Sequence, residues 1–406
     1  MINLLNNIEG WVHNGYAGNH LQMADTNATT LNSTVFGGKE FEVYIGADFK
    51  DGADTDVGTF NESTDGASMQ RLDVEGVTIP TFSPNQEFEM RTGSGRTAQF
   101  SQIFSSSKRV ITEVSLSGRV TALDLPIFME NVLATPATTN DNLFEIGHDY
   151  APTPFKHQDQ TGATVYNKSL SIFFKAPNAA DCVALKGCVV TSLSISGDMG
   201  TASGRFNYDV TLQTQYAPTF GTDSMSGATA ISSTNYYLSS MATRDMNIMD
   251  YNSGGDSYTS IQPLFNNLTL TIESPTQFLG AQGTNAEPEV FARAVPELNV
   301  TVAGSVKYDT ETAKLIEAFH DAGGDGATPS HVQLVMNNRT ITSDLETLGS
   351  IAIPANNKQE FGFIVPQAKL TSAEVTSDDV ASVNFEMKVL SPGSNKFIHI
   401  ATGPTA

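Results

Sequence analysis

The feature that most constrains the fold of this chain is an internal repeat. The stretch TEVSLSGRVTALDLPIFMENVL, which begins at Thr112, aligns with LNVTVAGSVKYDTETAKLIEAF, which begins at Leu298. In both stretches apolar residues and a glycine occupy alternate positions, as they do on the buried face of a β-strand. The aligned residues are Val114, Leu116, Gly118 and Val120 in the first stretch and Val300, Val302, Gly304 and Val306 in the second. The repeat predicts the same strand in two copies of one unit.

Each predicted strand is followed by the pattern of an amphipathic helix. A one-residue shift aligns apolar residues spaced i, i+1 and i+4, and it places Glu130 opposite Glu317. The apolar residues are Phe128, Met129 and Val132 in the first half and Leu315, Ile316 and Phe319 in the second. Because Asp is a favoured N-cap residue, Asp124 (ahead of Pro126) and Asp309 are predicted to begin the two helices.

The match extends to two further predicted strands. The stretch from Ser169 aligns with the stretch from His331, and RFNYDVTLQ aligns with SVNFEMKVL. The paired positions are Leu170, Ile172 and Phe174 against Val332, Leu334 and Met336, and Phe206, Tyr208, Val210 and Leu212 against Val383, Phe385, Met387 and Val389. A register kept through several blocks predicts a tandem duplication. The jumps between blocks predict an extra loop around Thr138–Gly162 in the first half and another around Pro354–Phe361 in the second.

The segment 221–234 is rich in Gly, Ser and Thr and is the predicted boundary between the halves. The predicted domains are residues 1–220 and 221–406, each α+β or mainly β with one amphipathic helix. Residues 1–40 are polar and without periodicity, which is typical of a mobile N-terminal arm. If the arm is ordered, either its own domain or a neighbouring chain holds it, and we expect contacts with a neighbouring subunit.

Acidic residues dominate the charge of the chain. Lys and Arg together number 22 against 44 Asp and Glu, a formal net charge of −22. This balance excludes a protein that binds nucleic acid by neutralising phosphates, because counterion release needs a basic surface. No signal-peptide pattern or membrane-length apolar run is present, so we expect a soluble, unexported protein with no membrane partner. Cys182 and Cys188 are expected to be free thiols, although they could pair with each other.

No motif of the chain predicts a catalytic or ligand-binding site. The acidic loop Asp51–Glu62 fails the EF-hand spacing and is interpreted as solvated, with a weak cation site left open. The GSGRT turn from Gly93 lacks phosphate-loop spacing and is interpreted as a hairpin tip. His148 and His157 bracket one loop without the spacing of a metal site, and no G-x-S-x-G motif is present. The sequence therefore predicts no enzyme activity, no catalytic, cofactor-binding or metal-binding residue, and no cofactor.

Two segments resemble parts of phage major tail tube proteins. They are LKGCVVTSLSISGDMGTASGRFNYDVTLQTQ, which begins at Leu185, and ELNVTVAGSVKYDTETAKLIEAF, which begins at Glu297. The first is similar to the closing strand, turn and returning strand of that family, and the second to its strand–helix portion. The resemblance covers residues 70–215 and 262–395, and it carries over no catalytic residue.

The resemblance implies a fold and an assembly. Each half would be a small β-sandwich or half-barrel with one flanking helix, and its inner sheet would join its neighbours' sheets into one continuous barrel. Single-domain tail tube proteins are roughly half as long and form hexameric rings, so a duplicated chain implies three chains in one pseudo-sixfold ring. Closing such a ring removes the unpaired strand edges that an isolated half-barrel exposes.

The function implied by the resemblance is structural. Rings stacked helically would form the tail tube of the virion, assembled in the host cytoplasm, and double-stranded DNA would pass through the tube during ejection. The implied partners are the chain itself and the tape measure, tail terminator and distal tail proteins. We expect more Asp and Glu than Lys and Arg on the lumen wall, because a negative wall repels phosphates. Two alternatives stay open: another repetitive β assembly (a capsid decoration, adhesin or surface-layer subunit) and a β-sandwich hydrolase.

Overall fold

The computed structural model describes many separate segments of the chain. They are residues 41–47, 69–78, 86–88, 103–105, 111–121, 124–132, 143–147, 155–156, 169–177, 182–200, 204–221, 228, 246–250, 259–261, 264–279, 290–293, 298–310, 312–313, 316, 332–336, 361–365, 368–377, 380–390 and 396–401. The described residues are mainly β-strand, and every pairing between described strands is antiparallel.

The strands are numbered in chain order. They are β1 Glu42–Ala47, β2 Gln70–Leu72, β3 Val74–Val77, β4 Gln86–Phe88, β5 Ile103–Ser105, β6 Thr112–Arg119, β7 Leu143–Gly147, β8 Phe155–Lys156, β9 Leu170–Lys175, β10 Cys182–Asp198, β11 Phe206–Thr214, β12 Thr219–Gly221, β13 Met246–Asp250, β14 Thr259–Ile261, β15 Phe265–Glu273, β16 Thr276–Leu279, β17 Val290–Arg293, β18 Asn299–Lys307, β19 Val332–Met336, β20 Gly362–Val365, β21 Ala368–Thr376, β22 Ser382–Val389 and β23 Lys396–Ala401. One helix has its bounds assigned within the described residues, α1 at Leu125–Val132.

The largest sheet has 12 strands. Eight of them lie side by side in the order β3-β6-β11-β10-β15-β18-β22-β21, and we call this run the long sheet. The other strands of the sheet, β2, β1, β9 and β12, join it only through the first part of β10. A separate sheet has six strands in the order β14-β13-β19-β20-β23-β7.

β10 joins the two groups of strands because its two ends pair with different strands. Residues 182–185 pair with β9 and β12, whereas residues 192–198 pair with β11 and β15. The register on β9 shifts between Leu185 and Cys188, and Gly187 in this interval has a φ of 62°. Glycine adopts this left-handed conformation without the steric penalty of a Cβ atom. Gly187 therefore accommodates the register shift of β10 on β9, just before β10 enters the long sheet.

The largest of three hydrophobic clusters in the described residues joins the strand groups and α1. Ile172 of β9, Leu116 of β6 and Val210 of β11 are buried in the same cluster as the apolar side of the helix. In α1 the buried apolar residues are Leu125, Phe128, Met129 and Val132. The ring of Phe128 lies 5.3 Å from the ring of Tyr208, centroid to centroid. The strand and helix periodicities predicted from Thr112 to Val132 are thus confirmed.

The start of α1 corrects one prediction. Asp124 was predicted as the capping residue, but the capping oxygen belongs to Thr121, whose Oγ1 accepts the Asp124 N–H at 2.9 Å. The carboxylate of Asp124 instead accepts the backbone N–H of Asp73, at 3.3 Å. Asp309 does cap the second helix start, because its Oδ1 accepts the Thr312 N–H at 2.9 Å. Ala313 and Ile316 are helical, while Leu315 and Phe319 lie outside the described residues.

The prediction of an extra loop around Thr138–Gly162 is wrong where the structure describes it. This segment contributes β7, which pairs with β23, and β8, which pairs with β17. Sequence alignment within one half could not detect this pairing, because the partners of both strands lie in the other half of the chain.

Several predictions fall on residues that the structure does not describe. The arm 1–40, the loop Asp51–Glu62 and the GSGRT turn lie outside the described segments. So do His148, His157 and the boundary 221–234, apart from Gly221 and Ala228. No disulfide joins the two cysteines, Cys182 and Cys188, which are both buried in β10.

Candidate functional site: the polar face of the long sheet

The long sheet has one apolar face and one polar face. On β10, Leu193 and Ile195 are fully buried in the core, while the residues that alternate with them point the other way and are partly exposed. In the middle of the sheet these outward residues are small, and most carry hydroxyl groups. They are Ser192, Ser194, Ser196, Thr269, Thr271, Thr301 and Ala303. We call the whole outward surface of the long sheet the polar face.

The hydroxyl groups meet across the junction between β10 and β15. Ser194 lies opposite Thr271, and the two hydroxyl oxygens are 3.5 Å apart. Ser196 lies opposite Thr269 in the next outward pair. β10 precedes the predicted boundary of the halves and β15 follows it. The uncharged centre of the polar face therefore includes strands from both halves.

Charged side chains flank this uncharged centre, and acidic ones outnumber basic ones among the described residues. The acidic residues are Glu75, Glu113, Asp198, Asp209, Glu273, Glu374 and Glu386, and the basic residues are Arg119, Lys307, Lys369 and Lys388. Arg119 forms an ion pair with Glu75, Nε to Oε1 at 2.6 Å. A surface of this balance cannot gain affinity for phosphates by releasing counterions.

A shallow groove of about 330 Å³ lies on the polar face above β15, β18, β22 and β21. Its lining offers amide, hydroxyl and carboxylate groups, from Asn267, Thr269, Ser372, Glu374, Asn384 and Glu386. No lysine or arginine is among the described residues that line it. The groove is therefore unsuited to hold a phosphate group.

The long sheet ends in two strands that are paired on one side only, within the described part of the chain. β3 pairs with β6, and β21 pairs with β22. β21 carries a bulge at Thr371, whose hydroxyl donates to the Glu386 carbonyl at 3.0 Å. Val375 of β21 lies on the apolar side of the sheet opposite Val383, yet 48% of its surface is exposed. An edge with unpaired backbone groups and an exposed valine is a template for another strand.

The clearest cluster of charged side chains elsewhere lies on β1, β2 and β9. Glu42 accepts hydrogen bonds from Tyr44 at 2.8 Å and Lys175 at 3.0 Å, and it lies 3.3 Å from Arg71. Burial alone raises the pKa of Glu42, but these hydrogen bonds and positive charges outweigh burial and lower it. Burial and the contact with Glu42 raise the pKa of Tyr44 to about 12. Each charged side chain has a partner of opposite charge within the cluster, which indicates a structural role.

Asp124 is a buried carboxyl group at the start of α1. Burial raises its pKa to about 7, although the hydrogen bond from the Asp73 N–H acts in the opposite direction. Only 1% of its surface is exposed, and its partners are backbone groups and neighbouring side chains. A substrate could not reach this carboxyl group, so its perturbed pKa does not mark an active site.

The described residues contain no group of three or more His, Cys, Asp or Glu side chains that could hold a metal ion. Within the same residues, no helix combines the length and the apolarity that crossing a membrane requires.

No protein-family model matches the chain, and no curated protein matches it.

Sequence reasoning missed the polar face as a surface. The signal was present in TSLSIS, where small hydroxyl residues alternate with apolar ones, and in LTLTIE of β15. What the sequence could not give was that these two strands are neighbours, because Ser194 of β10 and Thr271 of β15 lie 77 positions apart in the chain.

Proposed function

We propose that the chain is a structural subunit of a tube, of the phage tail tube type, with two duplicated domains and three chains in each ring. The observation that carries the proposal is the pairing of β10 with β15. It joins four strands of the first half, β3-β6-β11-β10, to four strands of the second, β15-β18-β22-β21, in one sheet. A wall built side by side from two units in one chain is what a pseudo-sixfold ring of three chains requires.

The order and register of the strands support the duplication. β6 and β18, which were aligned by sequence, each stand second in their set, and β11 and β22 each stand third. Gly118 lies opposite Tyr208 in the first set, and Gly304 lies opposite Phe385 in the second. These are the same pairs that the sequence alignment equates.

The surroundings of the two glycines agree as well. A Cβ atom on Gly118 would lie 2.7 Å from the Asp73 carbonyl oxygen, and one on Gly304 would lie 2.8 Å from the Asn267 carbonyl oxygen. In both places an aromatic ring of the next strand also lies within 3.0 Å of that Cβ position. Agreement at this level of detail supports two copies of one unit more strongly than a shared strand count does.

The internal junction also indicates how one chain would meet the next. Within the chain, the last strand of the first set pairs with the first strand of the second set, Gly197 opposite Leu268. By equivalence, β21 of one chain would pair with β3 of its neighbour. This pairing would give each exposed edge an antiparallel partner and would close the sheet into a barrel without edges.

The register of that contact follows from the same equivalence. Leu268 lies opposite Gly304 as Val74 lies opposite Gly118, so Val74 takes the position of Leu268. Gly197 lies opposite Phe206, and Val375 lies opposite Val383, the residue aligned with Phe206. Val74 of one chain should therefore lie opposite Val375 of the next.

The polar face supports the role of a DNA conduit. In a barrel closed in this way, the face away from the core would line either the lumen or the outside, and a lumen of uncharged hydroxyl groups flanked by excess acid would not retain a phosphate backbone. The proposed passenger is double-stranded DNA that passes through without stable binding. If the polar face lines the lumen, its excess of acidic over basic residues supports the proposed passage of DNA.

The test is assembly of the purified protein. We expect hollow tubes in negative-stain images and a ring of three chains in native mass spectra. Val375→Lys places a charge on the apolar side of the β21 edge and should abolish rings while the monomer stays folded. Ile111→Lys, at a residue of similar exposure (45%) outside that edge, is the matched control and should form rings. Six chains in a ring, or rings of the Val375→Lys variant, would contradict the proposal.

Cross-linking tests the register directly. Cysteines introduced at Val74 and Val375 should join neighbouring chains through a short bismaleimide, whereas the pair Val74 and Lys369 should not. The native Cys182 and Cys188 are 1% and 0% exposed, so they should contribute little background.

A further inference from the structure

We infer that four exposed apolar residues at one end of the long sheet form the contact between successive rings, with a second copy of this chain as the partner. The residues, which we call the apolar strip, are Met199, Leu264, Tyr308 and Val380. This inference rests on the proposed function, since it assigns a surface to the stacking of the proposed rings.

The four residues lie at the same end of four neighbouring strands. Met199 directly follows β10 and Leu264 directly precedes β15. Tyr308 directly follows β18, and Val380 comes shortly before β22. Because neighbouring strands are about 4.8 Å apart, the strip extends roughly 14 Å across the sheet. It therefore crosses the strands at their ends and avoids the sheet edges, which the proposed ring uses.

Backbone hydrogen bonds fix the strip in place. The Met199 N–H donates to the Asn266 carbonyl at 2.8 Å, and the Lys307 N–H donates to the Leu264 carbonyl at 2.9 Å. The Tyr308 N–H donates to the Ala381 carbonyl, also at 2.9 Å. The strand ends are thus tied to one another in sequence across the sheet. A surface ordered in advance loses little conformational entropy when it binds.

The exposure of the strip is high for apolar residues that stand together. Met199 and Tyr308 are 44% and 42% exposed, and Leu264 and Val380 are each 64% exposed. The charged residues Asp198 and Lys307 lie directly beside it. An apolar centre with a charged border is the usual arrangement of a protein–protein contact.

Size and direction favour another ring as the partner. Four side chains cover a few hundred Å², well below the 1,000 Å² or so that a specific pairwise interface needs, so one strip alone would bind weakly. In a ring, the strip would repeat around the circumference, and all copies would engage together with a second ring, which multiplies the effect of a weak contact. The net charge of −22 also makes copies of the chain repel each other, so a contact between copies is best made where charge is absent.

The decisive experiment is the double variant Leu264→Ser/Val380→Ser. We expect native mass spectra to show rings of three chains as in the wild type, and negative-stain images to show at least a tenfold smaller fraction of rings in tubes. Phe220→Ser removes an apolar side chain that is 65% exposed elsewhere, on β12, and should leave tube length unchanged. Tubes of wild-type length from the double variant would overturn the inference. A folded double variant that forms no rings would also overturn it, because the strip would then be a contact within the ring.

A measurement on the wild-type protein covers the case in which the double variant does not fold. Oxidation of Met199 by hydrogen peroxide, followed by peptide mass spectrometry, should be at least fivefold slower in tubes than in isolated rings. Equal rates in both states would overturn the inference and leave the proposed function intact. If the wild type forms neither rings nor tubes, the proposed function fails, and this inference fails with it.

Discussion

The turns that follow β6 and β18 use the same two residue types in opposite order. In the first turn Thr121 provides the capping oxygen and Asp124 stands three residues later, whereas in the second Asp309 provides it and Thr312 stands three residues later. The two residues of the second pair bond each other reciprocally, because the Asp309 N–H also donates to the Thr312 hydroxyl at 2.8 Å. In the first pair the carboxylate reaches away to Asp73, between β2 and β3.

The difference shows what the first turn adds. The capping function needs only one side-chain oxygen at the helix start, and either order of Thr and Asp supplies it. In the first turn the buried residue three positions after the cap is Asp124. Its carboxyl group accepts the N–H of Asp73, directly before edge strand β3, and so connects α1 to that strand. In the second turn the buried position holds Thr312, which is fully buried, and the Asp309 residue is exposed. The first turn therefore combines a cap with a long-range tether, at the expense of burying an acid.

The largest expected effect concerns that buried acid. The pKa of Asp124 rises from an ordinary value of 3.8 to about 7, chiefly through burial. A raised acid pKa means that the folded protein binds the proton more tightly, so stability from this group is complete below about pH 4 and is lost as the pH rises through 7. Between pH 4 and pH 8 the wild type should lose on the order of 4 kcal/mol of unfolding free energy relative to Asp124→Asn.

Denaturant unfolding of both proteins across this pH range measures the loss. Asp309→Asn changes the exposed acid of the other turn and is the matched control. A difference curve between wild type and Asp124→Asn that stays flat from pH 4 to pH 8 would show that the two turns do not differ in this respect.

A smaller effect is expected from the glycines that precede the turns. Gly118→Ala and Gly304→Ala should each lower the unfolding free energy by about 1–3 kcal/mol, because the new Cβ would press against a backbone carbonyl that cannot yield easily. Gly118→Ala should be the more harmful, since Tyr208 Cζ would lie 2.8 Å from the Cβ, against 3.0 Å for Phe385 Cζ at Gly304. Thermal unfolding measures both. Gly200→Ala, in an exposed turn, is the control. Equal stability of all three variants would contradict the close packing inferred around Gly118 and Gly304.

The smallest effect is expected from the threonines. Thr121→Val removes the hydroxyl group that accepts the Asp124 N–H and hydrogen-bonds the Asp124 side chain, and it should cost about 1 kcal/mol. Thr312→Val should cost about 2 kcal/mol, because the buried Thr312 hydroxyl accepts the Asp309 N–H and donates to the Lys307 carbonyl at 2.9 Å, and both bonds are lost. Chemical denaturation resolves a difference of this size. A larger loss of unfolding free energy in Thr121→Val than in Thr312→Val would contradict the inference that the hydrogen bonds of the second turn contribute more to stability.

The sequence was sufficient for features that depend on local periodicity. Alternation from Val114 to Gly118 and from Val300 to Gly304 predicted β6 and β18, and the spacing of Phe128, Met129 and Val132 predicted α1. Burial on one face of one element imposes these patterns directly, so they are legible without knowledge of the neighbours.

Features that depend on distant partners were not predictable. Nothing local to Asp124 indicates that its carboxylate binds the Asp73 N–H, and its residue type and position alone predict a cap. The register shift at Gly187 and the pairing of β10 with β15 are also consequences of the whole sheet, and the pairing decides where the polar face lies. The hydroxyl residues of that face could be read from the sequence, whereas their assembly into one surface could not.

The strand β7 has a consequence for how such a chain can be inherited. Encoded within the first half, it completes the edge of a sheet whose other strands all come from the second half, through its pairing with β23. A gene that encoded the second half alone would specify a sheet lacking one of its strands, and a gene for the first half alone would specify a strand with nothing to join. Separating residues 1–220 from residues 221–406 would therefore break the pairing of β7 with β23, which neither part can form alone.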